Sequence, residues 1–149
     1  GEYTALTRAM AMASAAGAKR VVPLQVSGAF HSPVMAPAAP ALMDAINQAH
    51  LTQAQAPIVA NITALPIASA ADLRQELAGQ IAAPVQWTRT IQWLVNEGGI
   101  TTFVELGTGQ VLAGLIKRIA KGVPVLSVGT AAEAQATAEA LRERGFNEA

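Results

Sequence analysis

Thr101-Thr102-Phe103-Val104-Glu105-Leu106-Gly107-Thr108-Gly109-Gln110-Val111-Leu112 is the stretch on which the fold turns. Residues 101–106 predict a strand, the closely spaced Gly107 and Gly109 predict a tight turn, and Val111 to Ala120 reads as a helix. The helical reading rests on Leu112, Leu115, Ile116 and Ile119, which recur as one stripe. Val123-Pro124-Val125-Leu126-Ser127-Val128 is then a further short strand. Thr130-Ala131-Ala132-Glu133 has the spacing of a capping box and opens a helix that ends near Arg144.

The same alternation extends toward the N-terminus. Trp87, Ile91, Leu94 and Val95 fall at i, i+4, i+7 and i+8, so this helix buries one stripe and ends at Gly98-Gly99, with Pro84 suited to a first helical turn. Ser69-Ala70-Ala71-Asp72 reads as a second capping box, opening a helix toward Ile81. Pro57 to Ile62 is an apolar run and Pro37 to His50 a helix. Val21-Val22-Pro23-Leu24-Gln25-Val26 is a short strand, placed at an edge or an irregular start because Pro23 has no N–H for a ladder. Thr4 to Ala16, rich in alanine and methionine, is a helix that Gly17 ends. The predicted class is α/β, a mainly parallel sheet covered by helices, with functional loops at the carboxyl ends of strands. His31 and Gly107 to Gln110 both occupy such ends. The one internal break that the pattern suggests lies near Gly17 to Arg20.

Composition narrows the function classes. Ten basic and ten acidic residues cancel in a chain of 149, which provides no field for nucleic acid or an anionic membrane surface. No cysteine is present, so disulfide and thiolate metal sites are excluded and a reducing compartment, the cytoplasm by default, is expected. No apolar run approaches the roughly 20 residues that span a bilayer. At 52% apolar and 13% charged residues, the chain carries more surface meant for burial than a freestanding domain needs, and some of it is expected to face a partner.

Val26-Ser27-Gly28-Ala29-Phe30-His31-Ser32-Pro33-Val34-Met35 places one of two histidines where an apolar run ends. A neutral imidazole there can take a proton from a hydroxyl nucleophile and return it to a leaving group. A packed ring satisfied by backbone accounts for the same pattern. His50, at the end of a predicted helix, reads as a cation on the helix dipole, and two isolated histidines make no zinc site. No serine fits a Gly-x-Ser-x-Gly elbow: Ser27 has Gln25 and Ser127 has Val125 where the first glycine is needed, and Ser32 only adjoins His31. The nucleophile is therefore sought elsewhere. Gly107 to Gln110 lacks the third glycine of a dinucleotide fingerprint, and Lys117 is misplaced for a P-loop, so the segment reads first as a strand-to-helix turn. Arg8, Lys19, Arg20, Lys117, Arg118 and Lys121 read as solvated surface, with an acidic partner as the weaker alternative.

At these residues the chain resembles the malonyl-CoA:acyl carrier protein transacylases and the related acyltransferase domains of fatty acid and polyketide synthases. Gly17-Ala18-Lys19-Arg20, Val26 to Met35, Ala83-Pro84-Val85-Gln86-Trp87-Thr88 and Glu105 to Leu112 look like family blocks in family order. The resemblance covers nearly the whole chain and about the second, C-terminal half of such an enzyme. It implies part of an α/β hydrolase-like large subdomain over residues 21–149, preceded over 1–20 by the last helix of a ferredoxin-like small subdomain. It implies transfer of malonyl from coenzyme A, through a serine ester, to the phosphopantetheine thiol of acyl carrier protein, with no cofactor. By resemblance His31 is the catalytic histidine and Gln80 helps to hold it. Gly28, Ala29 and Phe30 complete a tetrad that accompanies malonyl selectivity, Phe30 leaving little room for an α-methyl group. Asn61 matches a polar family position without an assigned role. The serine elbow, an oxyanion glutamine and the malonyl-binding arginine belong to the half not represented here, so the chain alone is expected to be inactive.

The rival readings are a non-catalytic remnant and a domain cut from a multidomain synthase. The ending Gly145-Phe146-Asn147-Glu148-Ala149 follows a finished helix without a Pro or Ser run, which favours a discrete protein.

Overall fold

Alanine and methionine without β-branched neighbours make a helix at the start of the chain, and α1 spans Tyr3–Ala15. The computed structural model describes residues 2–146; Gly1 and Asn147-Glu148-Ala149, on which part of the reading of the chain ending rests, lie outside the described residues. The chain divides into two compact units, Gly1–Gln86 and Trp87–Ala149. This division has no counterpart in the sequence pattern, where Ala83 to Thr88 reads through as one block.

In the first unit Gly17 ends α1 as predicted. At φ +86° its N–H reaches the Ser14 carbonyl (3.1 Å), and the Ala18 N–H reaches that of Ala13 (3.0 Å). These two bonds are a Schellman closure, which needs a left-handed residue after the helix. Residues 21–26 do not form the predicted strand. Pro23 lacks a donor, no described segment pairs with this one, and Val22, Leu24 and Val26 stand 51%, 77% and 70% exposed. The helix expected from Pro37 to His50 also differs. A 3-10 helix occupies Pro33–Ala38 and α2 only Ala39–Gln48, because Pro33 and Pro37 remove N–H groups from the first turns. β1 (Ile58–Val59) and β2 (Pro66–Ile67) form a short antiparallel ladder. The turn between them is closed by Ala60 N–H to the Leu65 carbonyl and by Ala64 N–H to that of Ala60. α3 spans Ala70–Gln80, and its N-cap Ser69 accepts the Asp72 N–H as predicted.

In the second unit α4 covers Trp87–Asn96 and turns Ile91 fully inward, with Trp87, Leu94 and Val95 half-buried. Pro84 lies ahead of this helix rather than in its first turn. β3 (Phe103–Leu106) and β4 (Val125–Val128) pair in parallel, Phe103 opposite Val125 and Leu106 opposite Val128, and α5 (Val111–Ile119) connects them. α6 (Ala131–Glu143) follows and packs, as α5 does, on β4. The architecture is the predicted α/β type. The α5 stripe is corrected: Ala113 and Ile116 point inward, whereas Leu112 and Leu115 stand 42% and 36% exposed. Among the described residues the buried apolar side chains are Ile46, Ala60, Ala64, Ile91, Ala113 and Ile116. For so apolar a chain this core is small, and Leu106 and Val111 remain largely in solvent.

Candidate active site

His31 sits in the turn between the extended segment and the 3-10 helix, at φ +61°, a conformation that non-glycine residues rarely take. Its N–H donates to the Ile81 carbonyl (3.0 Å), and the Ser32 hydroxyl donates to the Ala29 carbonyl (2.6 Å), so the turn is tied at both ends. Ser32 is thereby committed to backbone, although it adjoins His31 in sequence.

Two groups compete for imidazole Nδ1. The Gln80 backbone carbonyl, 2.9 Å away, can only accept; the Gln80 side-chain nitrogen, 3.1 Å away, can only donate. That side-chain nitrogen already donates to the Ala83 carbonyl (3.2 Å), which orients the amide. A neutral ring with its proton on Nδ1 satisfies the carbonyl and leaves a lone pair on Nε2, whereas the other tautomer satisfies the side-chain amide. The imidazole is exposed. Gln80 thus meets His31 through its main chain as well as its side chain, and its own Oε1 is buried without a partner.

Gly28 and Phe30 also meet. A Cβ at residue 28 would lie 2.9 Å from Phe30 Cε2, so only glycine lets the ring fold back there, and the ring is still 56% exposed. Ala29 is half-buried and contributes its carbonyl to Ser32. Asn61 enters through its backbone: its N–H donates to Glu76 Oε1 (2.7 Å) and its carbonyl accepts the Gln86 N–H (2.8 Å). Glu76 gave no sequence signal beyond its place one turn before Gln80.

Away from His31 the structure assigns other polar residues to folding. His50 lies past the end of α2, and Arg74 takes the helix terminus instead, donating to the carbonyls of Ile46 (2.8 Å) and Ala49 (3.3 Å). At the glycine turn Gly107 and Gly109 adopt φ +131° and +92°. The Glu105 carboxylate swings over this turn to accept the N–H groups of Leu112 (3.0 Å) and Ala113 (2.9 Å). A carboxylate therefore fills the helix N-terminus that a phosphate loop would leave open. The signal for it was available: Gln110 is a poor N-cap, and an acid stands just before the turn. Lys117 and Arg118 occupy the last turn of α5, where they suit its dipole.

Among the described residues no helix is long and apolar enough to cross a membrane. No family model matches the chain. It is 35% identical over 131 residues to the malonyl CoA-acyl carrier protein transacylase of Bacillus subtilis (strain 168), covering 88% of this chain and 41% of that protein. It is 38% identical over 114 residues to the protein of that name from Staphylococcus aureus (strain COL), covering 76% and 37%. Among solved structures it superposes on the acyl-carrier-protein-S-malonyltransferase of Bartonella henselae with a TM-score of 0.88 at 40% identity, over 98% of this chain and 45% of that one. A malonyl-transacylase in complex with its type II PKS acyl-carrier protein gives a TM-score of 0.88 at 36% identity, over 94% and 45%. The chain therefore spans less than half the length of these relatives.

Proposed function

The chain belongs to the malonyl CoA-acyl carrier protein transacylase family, and we infer that its 149 residues are the base-bearing part of such an enzyme. The observation that carries this reading is His31 Nδ1 lying 2.9 Å from the Gln80 carbonyl, the contact that suits the tautomer with an Nε2 lone pair for base chemistry. In the proposed reaction Nε2 takes the proton of a serine hydroxyl as its oxygen attacks the thioester carbonyl of malonyl-CoA. The tetrahedral intermediate collapses, the C–S bond breaks, and the imidazolium returns the proton to the coenzyme A thiolate. The malonyl serine ester is next attacked by the phosphopantetheine thiol of acyl carrier protein. His31 takes the thiol proton and returns it to the serine oxygen.

Phe30, seated on Gly28 beside His31 in the chain, is the proposed filter against α-substituted acyl groups. Residues 1–20 are proposed to close a small subdomain and 21–149 to belong to the large one. The serine, the oxyanion donors and the carboxylate-binding arginine are supplied by polypeptide that this chain does not contain. The exposed Leu24, Val26, Leu106 and Val111 support that reading, since they are the apolar area such polypeptide would cover. Without it the chain transfers nothing.

Intact mass after incubation with malonyl-CoA tests the proposal, on the chain alone and on the chain joined to the N-terminal half of a relative. An adduct of one malonyl group on the joined protein only is the expected result, and His31→Ala should lower its rate of transfer by about 10²- to 10⁴-fold. An adduct on the chain alone would place a nucleophile within it, and no adduct on either would favour a non-catalytic remnant.

A further inference from the structure

Glu76 stands one turn before Gln80 on α3, so the two side chains leave the same face of the helix. Its Oε1 accepts the N–H groups of both Asn61 (2.7 Å) and Ile62 (3.1 Å). Asn61 in turn accepts the Gln86 N–H at its carbonyl (2.8 Å). The segment from Glu76 to Gln86 is thus closed on itself through the backbone of one residue of the β1–β2 turn. Inside that closure lie the carbonyls of Gln80 and Ile81, which hold the ring and the N–H of His31, and that of Ala83, which holds the Gln80 amide. Contact with the turn continues at Gly79, where a Cβ would come within 2.9 Å of Ile62 Cδ1.

The geometry points to Glu76 as a positioning residue for His31: by clamping the 61–62 backbone onto α3 it sets the last helical turn where the Gln80 carbonyl meets Nδ1. Hydrogen bonds from backbone N–H groups to a carboxylate are roughly twice as strong as neutral ones, so this clamp is the firm link in the closure. With the carbonyl displaced, nothing would keep the ring proton on Nδ1. The inference rests on the reading of His31 as a base whose Nε2 must be free.

Ring ¹⁵N chemical shifts of His31, in the full chain labelled at histidine, read the tautomer without any need for activity. The parent is expected in the Nδ1–H form. In Glu76→Ala the ratio of Nδ1–H to Nε2–H forms should fall by roughly twofold to tenfold, the worth of one ordinary hydrogen bond. Glu76→Gln, whose amide oxygen still accepts, should keep the parental ratio, and the Asn61 and Ile62 amides should lose exchange protection only in the alanine variant. Should Glu76→Ala fail to fold by circular dichroism, Glu76→Asp serves in its place, since it keeps the charge but withdraws the acceptor by one methylene. A parental tautomer in a folded variant that has lost the amide protection would overturn the positioning role and leave His31 as base intact. A parent already in the Nε2–H form would overturn the base reading itself.

Discussion

At φ +61°, His31 holds a backbone conformation that costs a residue bearing Cβ about 1–2 kcal/mol, and contacts from Gln80, Ile81 and the Ser32–Ala29 pair hold it there. In this conformation the ring meets the carbonyl end of α3, with Nδ1 2.9 Å from the Gln80 carbonyl. His31→Gly is therefore expected to be more stable than His31→Ala by about 1 kcal/mol, although both lack the imidazole. Urea midpoints for the two variants check this, and equal midpoints would show that the turn stores no strain. Glu105 acts at a distance of the same order. It caps α5 from the preceding strand, so Glu105→Ala should lower unfolding stability by about 1–2 kcal/mol while Glu105→Gln retains part of it. The histidine was legible as a candidate because it ends an apolar run. Glu76 was not, because a carboxylate that bonds the backbone of a distant turn leaves no spacing pattern, whereas Glu105 stands just before a turn whose helix lacks a good N-cap.

Among the elements, α6 shows how far a local motif dictates structure. Thr130 accepts the Glu133 N–H (3.2 Å), and Glu133 reaches back to the Gly129 N–H (2.8 Å) and the Thr130 hydroxyl (3.1 Å). The Gly129 N–H first, and then the Thr130 hydroxyl, holds the Glu133 carboxyl below its ordinary value of 4.5. A lowered folded pKa stabilises the folded state above the ordinary value, and this contribution is lost as pH falls below about 4.5 through the folded value. Glu133→Gln should therefore lower stability at pH 7, where the carboxylate contributes, change it little in acid, and so flatten the acid side of a stability-against-pH curve, as thermal melts at a series of pH values would show. Capping boxes and glycine stops were readable because they act within a few residues. The strand at Val21 to Val26 was not formed, because a strand also needs a neighbour, and its own residues cannot supply one.

The whole molecule is marked by apolar side chains left in solvent: Tyr3 at 82%, Leu24 at 77%, Leu106 at 78% and Val111 at 73% exposure. The chain alone is expected to bind a hydrophobic dye and to self-associate as concentration rises, and Leu106→Ser with Val111→Ser should reduce both. Sedimentation velocity across a concentration series would detect this, and a parent that stays monomeric without binding dye would show that these faces need no cover. The sequence by itself determined α1, α3 and α6 with their caps and glycine stops and the strands that pair as β3 and β4, since each follows from periodicity or a motif a few residues long. Only the tertiary structure decided that Leu112 and Leu115 face outward, that Val21 to Val26 stays unpaired, and that Gln80 holds His31 by its main-chain carbonyl. Those outcomes depend on which segment lies opposite each residue, and the placement of chain segments 49 residues apart, as His31 and Gln80 are, is written in no local spacing.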